Sequence, residues 1–183
     1  TEAHLRNTRV LPDRQALLRS LPRDAVVAEL GVDEGGFSEE ILALTAPRCL
    51  HLVDAWGTKR YGDRKAQAVR ERFDRHIDAG TVVIHRGLST DVLAGFDDAC
   101  FDWIYIDTNH RYETTARELA LGEQKVRPGG ILAGHDYVTG SWVRAVRYGV
   151  VEAVNEFCVT RNWEMLYLTA ETHRHLSFAL RKI

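Results

Sequence analysis

The chain has 183 residues, of which 45% are hydrophobic and 27% charged, and its formal net charge is −2. That length suits one well-buried domain over residues 1–183, and the balanced charge gives no reason to expect a nucleic acid or a membrane surface as partner. Three widely separated cysteines without a C-x-x-C pair, no apolar leader and no apolar run of about 20 residues predict a cytoplasmic protein without disulfides or a membrane span.

Apolar segments of strand length alternate with segments of helical periodicity along the chain. A short entry helix is predicted just after Leu11, and seven strands follow it. These strands span residues 26–30, 50–54, 81–85, 101–107, 130–134, 165–168 and 176–180. Each of the first five precedes a helix, which predicts a parallel sheet with right-handed crossovers, whereas the last two are close enough to pair antiparallel. The expected fold is therefore a single-domain, doubly wound, Rossmann-like α/β sheet of about seven strands, mostly parallel, with a C-terminal antiparallel strand.

The first predicted strand runs into a turn that contains glycines. Gly31 and Gly35 allow a tight turn and the close approach of a ligand. Asp33 stands where dinucleotide-binding proteins have their second glycine, and its charge would repel a pyrophosphate. The turn is therefore either a plain structural turn or a site for a nucleotide-like cofactor without phosphates. Glu29 is expected to bind a cationic amine of that cofactor or to form a structural salt bridge.

Two further strand ends carry candidate cofactor residues. Asp54 ends the second strand, where an acidic residue in nucleotide-binding α/β folds takes the ribose hydroxyls. A simple strand-end cap is the alternative. Trp56 could pack on the ligand or fill the edge of the sheet. Ser89 follows the third strand, next to where an adenine would lie, and is equally well explained as the cap of the next helix.

Acids and histidines at the ends of two later strands are the most informative residues. Asp107 and His110 follow one apolar strand, and His135 and Asp136 follow the next. Because ligands bind outside the carboxyl ends of parallel strands, we expect both pairs at one site. Asp107, His135 and Asp136 are the predicted metal ligands. Carboxylates and water favour Mg²⁺, whereas an imidazole favours Mn, Fe or Zn. A metal-free site with His110 or His135 as base is the alternative.

Four motifs together resemble a known family. They are Val27–Val32 with Gly35–Gly36, Leu52–Trp56, Ile106–Glu113 and Pro128–Tyr137. The chain resembles the class I S-adenosylmethionine-dependent methyltransferases over nearly its full length. Within them it is most similar to the small bacterial group that includes metal-dependent, sugar-modifying O-methyltransferases of macrolide pathways.

This resemblance assigns roles to residues at the strand ends. It implies that Glu29, Gly31, Asp54 and Ser89 lie in the cofactor site, and that Asp107 and Asp136 match the metal-ligand positions of magnesium-dependent members. The chain departs from the family pattern at His135, where an acid is common, and at Thr108 and Asn109, where a Gly-Asp pair is common.

The expected function is methyl transfer from S-adenosyl-L-methionine to a hydroxyl of a small molecule, with a divalent metal assisting. Asp107, His110 and His135 are the candidate catalytic residues, a histidine accepting the hydroxyl proton. A non-catalytic S-adenosylmethionine-binding protein and a metal-independent methyltransferase are alternatives. A nicotinamide-dependent oxidoreductase or a metallohydrolase would each leave part of the motif set without a role. A homodimer is the commonest closed assembly.

The polar and aromatic segment 138–149 is the predicted substrate lid. It contains Trp142, Arg144, Arg147 and Tyr148, and its alternative interpretation is a solvated connection to the following helix.

Overall fold

A computed structural model describes residues 1–141, 143, 145–171 and 175–183. A short 3₁₀ turn, Glu2–His4, opens the chain. The strands are β1 (Arg9–Leu11), β2 (Val26–Leu30), β3 (Cys49–Asp54), β4 (Val82–Arg86), β5 (Phe101–Ile106), β6 (Val126–Gly134), β7 (Gly140–Ser141), β8 (Val146–Arg147), β9 (Trp163–Thr169) and β10 (Phe178–Lys182). The α-helices are α1 (Arg14–Ser20), α2 (Gly36–Thr45), α3 (Asp63–Arg72), α4 (Asp74–Asp78), α5 (Ser89–Ala94), α6 (Tyr112–Lys125) and α7 (Val150–Arg161).

Eight strands form the main sheet, in the order β1-β9-β10-β6-β5-β2-β3-β4. All neighbours pair in parallel except β10, which is antiparallel to both β9 and β6. The predicted fold class, a doubly wound and mostly parallel α/β sheet with an antiparallel C-terminal strand, is confirmed. The direction in which strands are added reverses between β2 and β5, and ligands bind at such switch points.

The structure differs from the predicted elements in three places. Residues 9–11 form β1, an eighth strand beside β9, which is too short for its side-chain alternation to be recognised. The helix predicted after the second strand is divided at Phe73 into α3 and α4. The segment predicted as an irregular lid contains the two-stranded hairpin of β7 and β8.

Helices cover both faces of the sheet. Leu17 of α1 and Ile41 of α2 pack in one core cluster, and Leu119 of α6 packs in the other. Successive residues of β5 alternate between them, Trp103 in the first and Ile104 in the second, as expected for a strand buried on both faces. No helix within the described residues is long and apolar enough to span a membrane.

The carboxyl ends of the central strands lie level with one another. Leu30 is in register with Ile106, and Ile106 with Gly134. The ladder continues one step further, because the N–H of Asp107 donates to Leu30 O at 2.8 Å and the N–H of His135 donates to Ile106 O at 3.0 Å. Residues that follow these strands therefore begin at one edge of the sheet.

Candidate active site

The turn that follows β2 depends on two glycines. Gly31 has a φ of +90°, and a Cβ at this position would lie 1.9 Å from the carbonyl oxygen of Asp107. Gly35 has a φ of +79°, and a Cβ there would lie 2.7 Å from the ring of Phe73. Both positions therefore require glycine for the backbone conformation and for packing. Because Gly31 lies directly against Asp107, the two predicted halves of the site are neighbours.

Asp54 holds this turn in place through three backbone amides. Its Oδ2 accepts hydrogen bonds from the N–H groups of Val32 at 2.9 Å and Asp33 at 3.0 Å, and its Oδ1 accepts from Trp56 N–H at 2.9 Å. A carboxylate offers about four lone-pair positions, so capacity for one more donor is left. Asp54 lies at the predicted end of its strand. Its three hydrogen bonds to backbone amides match the alternative interpretation of Asp54 as a strand-end cap.

Trp56 does not present its ring to a ligand. The residue is 1% exposed and belongs to the core cluster on the α1 and α2 face. Its backbone has a φ of +38°, and its indole N–H donates to the carbonyl of Asp33 at 2.9 Å. The prediction that Trp56 packs on the cofactor is therefore corrected. The positive φ turns the ring inward, which strand periodicity could not reveal.

Glu29 is a buried acid beside the glycine turn. It is 1% exposed, and its Oε2 accepts a hydrogen bond of 2.5 Å from the hydroxyl of Ser38. Burial raises the pKa of Glu29 to about 8, against the lowering effect of this hydrogen bond. Ser38 lies inside α2, whose N-cap is Gly35.

Ser89 is joined to the Asp107 loop through a buried acid. It is the first residue of α5, and its hydroxyl donates to Oε1 of Glu118 at 2.5 Å. The other oxygen of Glu118 accepts from the hydroxyl of Thr108 at 3.0 Å. Burial raises the pKa of Glu118 to about 7, although both hydrogen bonds oppose this. The sequence did not identify Glu118 as a site residue, because an acidic residue in a helix is normally exposed to solvent.

Asp107, His110 and Asp136 converge at the ends of β5 and β6. Donor atoms of these three residues all lie within 4.8 Å of one another. The Nε2 of His110 is 2.6 Å from Asp136 Oδ2 and 3.6 Å from Asp107 Oδ1. Burial alone would lower the pKa of His110, but the hydrogen bonds and charges of the two acids outweigh it and raise the pKa to about 9. Without a bound ion, this raised pKa favours the cationic form of the imidazole between the two carboxylates at neutral pH.

Asp136 is the most buried member of this cluster. Burial would raise its pKa, but hydrogen bonds from His110 and His135 hold it well below the usual range. Asp136 and His110 both have positive φ values, 58° and 60°. Left-handed backbone at such residues is costly and concentrates at functional sites.

His135 lies beside the cluster but outside the converging group. Its Nδ1 is 3.7 Å from Asp107 Oδ2 and 3.5 Å from Asp136 Oδ2, and its buried Nε2 has no hydrogen-bond partner among the described residues. The predicted metal set of Asp107, His135 and Asp136 stays a prediction, whereas the three residues whose donor atoms converge in the structure are Asp107, His110 and Asp136. The turn at His110 brings its side chain back over Asp107, which strand periodicity does not predict.

A further histidine, His175, contacts the site from the segment between β9 and β10. Its Nδ1 is hydrogen-bonded to Asp136 Oδ1, and its ring centroid lies 5.5 Å from that of Tyr148. Nothing in the sequence pointed to His175, because it stands alone in a polar connection without spacing to another ligand.

The predicted lid contributes Tyr148 to the site. The Tyr148 ring centroid is 4.6 Å from that of His110, and the N–H of Gly149 donates to His110 O at 2.8 Å. Arg147 points to solvent and pairs with Glu152 at 2.6 Å. Trp142 and Arg144 lie outside the described residues.

Two cavities lie near the strand ends. One of about 570 Å³ follows β3 and is lined by Trp56, Lys59, Arg60, Arg64, Lys65 and Arg86, among others. The other, of about 10 Å³, lies beside Asp107, His110 and His135. The larger cavity does not touch the acids, so size alone does not identify the reactive region; the convergent titratable groups identify it instead.

Comparison with known proteins identifies the domain. Residues 28–137 match the family model of a methyltransferase domain. No curated protein sequence matches the chain.

Solved structures with the same fold include three methyltransferases. A SAM-dependent methyltransferase from Aquifex aeolicus has a TM-score of 0.67 and 12% identity over 94% of this chain and 91% of its own. An O-methyltransferase from Bacillus cereus in complex with SAH (S-adenosylhomocysteine) has a TM-score of 0.64 and 17% identity over 92% and 78%. An rRNA methylase from Streptococcus thermophilus has a TM-score of 0.66 and 12% identity over 92% and 94%.

Proposed function

Since the chain belongs to the methyltransferase-domain family, we propose that it transfers a methyl group from S-adenosylmethionine to a hydroxyl oxygen of a small molecule. The main support for this proposal is that Asp107, His110 and Asp136 converge directly beside the Gly31 turn. A cofactor site and a group of potential acid–base residues thus share one edge of the sheet, at the switch point of the fold.

The cofactor is assigned to the first half of the site. The turn from Gly31 to Gly35 would carry its methionine half, with Glu29 nearby to accept hydrogen bonds from the ammonium group. Asp54 retains acceptor capacity for a ribose hydroxyl after its three backbone hydrogen bonds. The turn at Asp33 suits a cofactor without phosphates, because Asp33 would repel a pyrophosphate.

The residues of the cluster fit a divalent cation. Two carboxylates and one imidazole offer donor atoms within 4.8 Å of one another, and the proton that His110 holds between the two acids would be released when an ion binds there. Asp107, His110 and Asp136 would hold the ion, and the mixed oxygen and nitrogen donors favour Mn²⁺ or Fe²⁺, with Mg²⁺ suiting the carboxylates. A bound ion supplies Lewis acidity that lowers the pKa of a coordinated hydroxyl.

His135 is the proposed proton acceptor. Its Nε2 is buried and has no hydrogen-bond partner among the described residues, whereas His110 would either hold the ion or, without an ion, already carry a proton, and in neither state can it accept one. As the oxygen–carbon bond forms and the carbon–sulfur bond breaks, the hydroxyl proton passes to His135. The products are a methyl ether and S-adenosylhomocysteine. Holding oxygen, carbon and sulfur in line can contribute about 7–11 kcal/mol to lowering the barrier.

A small-molecule acceptor is favoured over RNA by charge. The net charge of −2 and the acids that follow β5 and β6 would repel a phosphate backbone at the cluster, and the basic residues near the strand ends line a separate cavity after β3. A metal-independent reaction, with His135 as the sole base, is the second candidate, and the unpartnered Nε2 of His135 favours it.

The proposal is tested by titrating the protein with S-adenosylhomocysteine in a calorimeter, with and without Mn²⁺, and by assaying methyl transfer to a panel of sugars and catechols. Binding of S-adenosylhomocysteine and methylation of a hydroxyl are expected. A protein that binds NAD⁺ but not S-adenosylhomocysteine would contradict the proposal.

A further inference from the structure

Arg14, the first residue of α1, carries a nearly buried guanidinium beside the site. Its side chain is 12% exposed, and its guanidinium carbon lies 3.8 Å from the centroid of the Phe37 ring. Its nearest ion-pair contact is 3.8 Å, from Nη1 to Asp107 Oδ2, and its buried Nε has no hydrogen-bond partner among the described residues. Arg14 also lies outside the residues that match the family model.

This guanidinium is incompletely satisfied. A separation of 3.8 Å is too long for a hydrogen bond, and Asp107 also faces His110 at 3.6 Å and His135 at 3.7 Å. A buried charge without hydrogen bonds is costly, and guanidinium donors match a carboxylate in a two-pronged arrangement. Arg14 therefore has donor capacity that a carboxylate of a ligand would satisfy.

The position of Arg14 identifies which ligand group it can reach. Phe37 stands in the first turn of α2, directly after the glycines of the turn, and Asp107 lies against Gly31. Arg14 is also close enough for its charge to act on Glu29. It thus lies where the methionine half of the cofactor is assigned, and the carboxylate is the only anionic group of S-adenosylmethionine.

Arg14 is held in this position before any ligand arrives. The carboxylate of Asp13 caps α1 by accepting from Ala16 N–H at 2.7 Å, and the backbone N–H of Arg14 donates to Glu171 Oε1 at 2.9 Å. Leu17 and Leu18 of the same helix are fully buried. Because helix and backbone are fixed, binding a carboxylate requires little reorganisation.

We propose that Arg14 binds the carboxylate of the methionine half of the cofactor, an inference that rests on the proposed use of S-adenosylmethionine. The proposal rests on the position of the Arg14 guanidinium over Phe37, next to the Gly31 turn and Asp107, with an Nε that has no hydrogen-bond partner among the described residues. Arg14 thereby becomes a cofactor-binding residue contributed by the segment that precedes β2.

The test compares two ligands that differ only in this carboxylate. Calorimetry would measure the affinity of the intact protein for S-adenosylhomocysteine and for its decarboxylated analogue, S-adenosyl-3-thiopropylamine. Wild-type protein should prefer S-adenosylhomocysteine by roughly 10- to 100-fold, the value of a charge-assisted hydrogen bond. Arg14→Gln should remove that preference while leaving the affinity for the decarboxylated analogue within about twofold. Arg19→Gln, an exposed substitution in the same helix, should retain the preference.

Three results would overturn the inference. Equal losses for both ligands in Arg14→Gln would assign Arg14 a structural role, and a wild-type protein that binds both ligands equally would leave the carboxylate unrecognised. Wild-type protein that binds neither ligand would refute the proposed function and this inference together. The other two results would refute only the role of Arg14, because the protein would still bind S-adenosylhomocysteine. Should Arg14→Gln fail to fold, Arg14→Lys provides the test, because lysine keeps the positive charge but lacks the paired N–H donors of the guanidinium. The preference of Arg14→Lys for S-adenosylhomocysteine over the decarboxylated analogue should be smaller than that of wild type but still measurable.

Discussion

A side chain on Gly31 would meet the carbonyl oxygen of Asp107, with the Cβ only 1.9 Å away. The turn assigned to the cofactor is thus packed against the first residue of the acid and histidine cluster. Substitution at this contact should disturb both halves of the site, because neither backbone segment can move without the other.

Gly31→Ala should destabilise the protein and weaken cofactor binding. The φ of +90° is strained for alanine, which costs about 1–3 kcal/mol, and the clash with Asp107 adds to this cost. Gly80→Ala is the matched control, since Gly80 has a φ of +71° but a Cβ added there would meet no atom within 4 Å. Urea unfolding should show a clearly larger loss of unfolding free energy for Gly31→Ala. Equal losses would mean that contact with Asp107 is unimportant.

Asp54→Ala should weaken both the fold and the binding of S-adenosylmethionine. Hydrogen bonds to a charged acceptor contribute about 1.5–3 kcal/mol, and Asp54 accepts three from the backbone. We expect a cofactor affinity lower by at least about 1.5 kcal/mol in calorimetry, together with a lower free energy of unfolding. Asp63→Ala, which removes an exposed acid paired with Arg86, is the control and should change either quantity little. An unchanged cofactor affinity in Asp54→Ala would restrict Asp54 to holding the turn.

Glu29 should make the protein less stable as the pH rises from about 5 to 8. Burial raises the pKa of Glu29 to about 8, so the folded protein keeps a proton that the unfolded chain releases above its ordinary glutamate pKa. Stability contributed by a group with a raised pKa is full below its unfolded pKa and is lost as the pH rises through the folded pKa. Glu29→Gln should remove this loss, which amounts to at most about 1.4 kcal/mol per pH unit.

Urea unfolding of wild type and Glu29→Gln across this pH range measures the effect. The exposed substitution Glu34→Gln should follow the wild-type pH profile. A profile of Glu29→Gln that also coincides with wild type would show that Glu29 is ionised in the folded protein.

His110 and His135 should respond differently to substitution. His110→Gln should weaken binding of Mn²⁺, measured by calorimetry or electron paramagnetic resonance, by more than the roughly 10-fold that loss of an outer partner costs. His135→Gln should bind Mn²⁺ nearly as wild type but lower the rate of methyl transfer about 10²- to 10⁴-fold, as expected for a lost general base. Weaker Mn²⁺ binding in His135→Gln but not in His110→Gln would support the ligand set predicted from the sequence, Asp107, His135 and Asp136.

The sheet and the strand ends were predictable from the sequence because buried parallel strands are continuous apolar runs. Asp107 and Asp136 follow such runs directly, so topology alone brought them to one edge. The edge strand β1 was missed, since three residues show no usable periodicity. The number of strands in the main sheet was accordingly underestimated by one.

The composition of the site was less predictable, because loops and distant segments complete it. His110 reaches Asp136 through a turn with positive φ, and His175 and Arg14 come from segments far from β5 and β6 in the chain. Isolated residues of this kind carry no spacing signal. The burial of Trp56 likewise depends on its positive φ. The cytoplasmic location, the single-domain organisation and the homodimer stay predictions.

Methyl transfer to a small-molecule hydroxyl at this cluster can be measured by following an isotopically labelled methyl group. Wild-type protein and Asp136→Asn would each be incubated with methyl-labelled S-adenosylmethionine, Mn²⁺ and a cell extract separated into small-molecule and RNA fractions. We expect label in a methylated hydroxyl compound of the small-molecule fraction, and loss of that label both in Asp136→Asn and after chelation of the wild type. Label confined to RNA would contradict a small-molecule acceptor, and full activity of Asp136→Asn would contradict the role of the cluster.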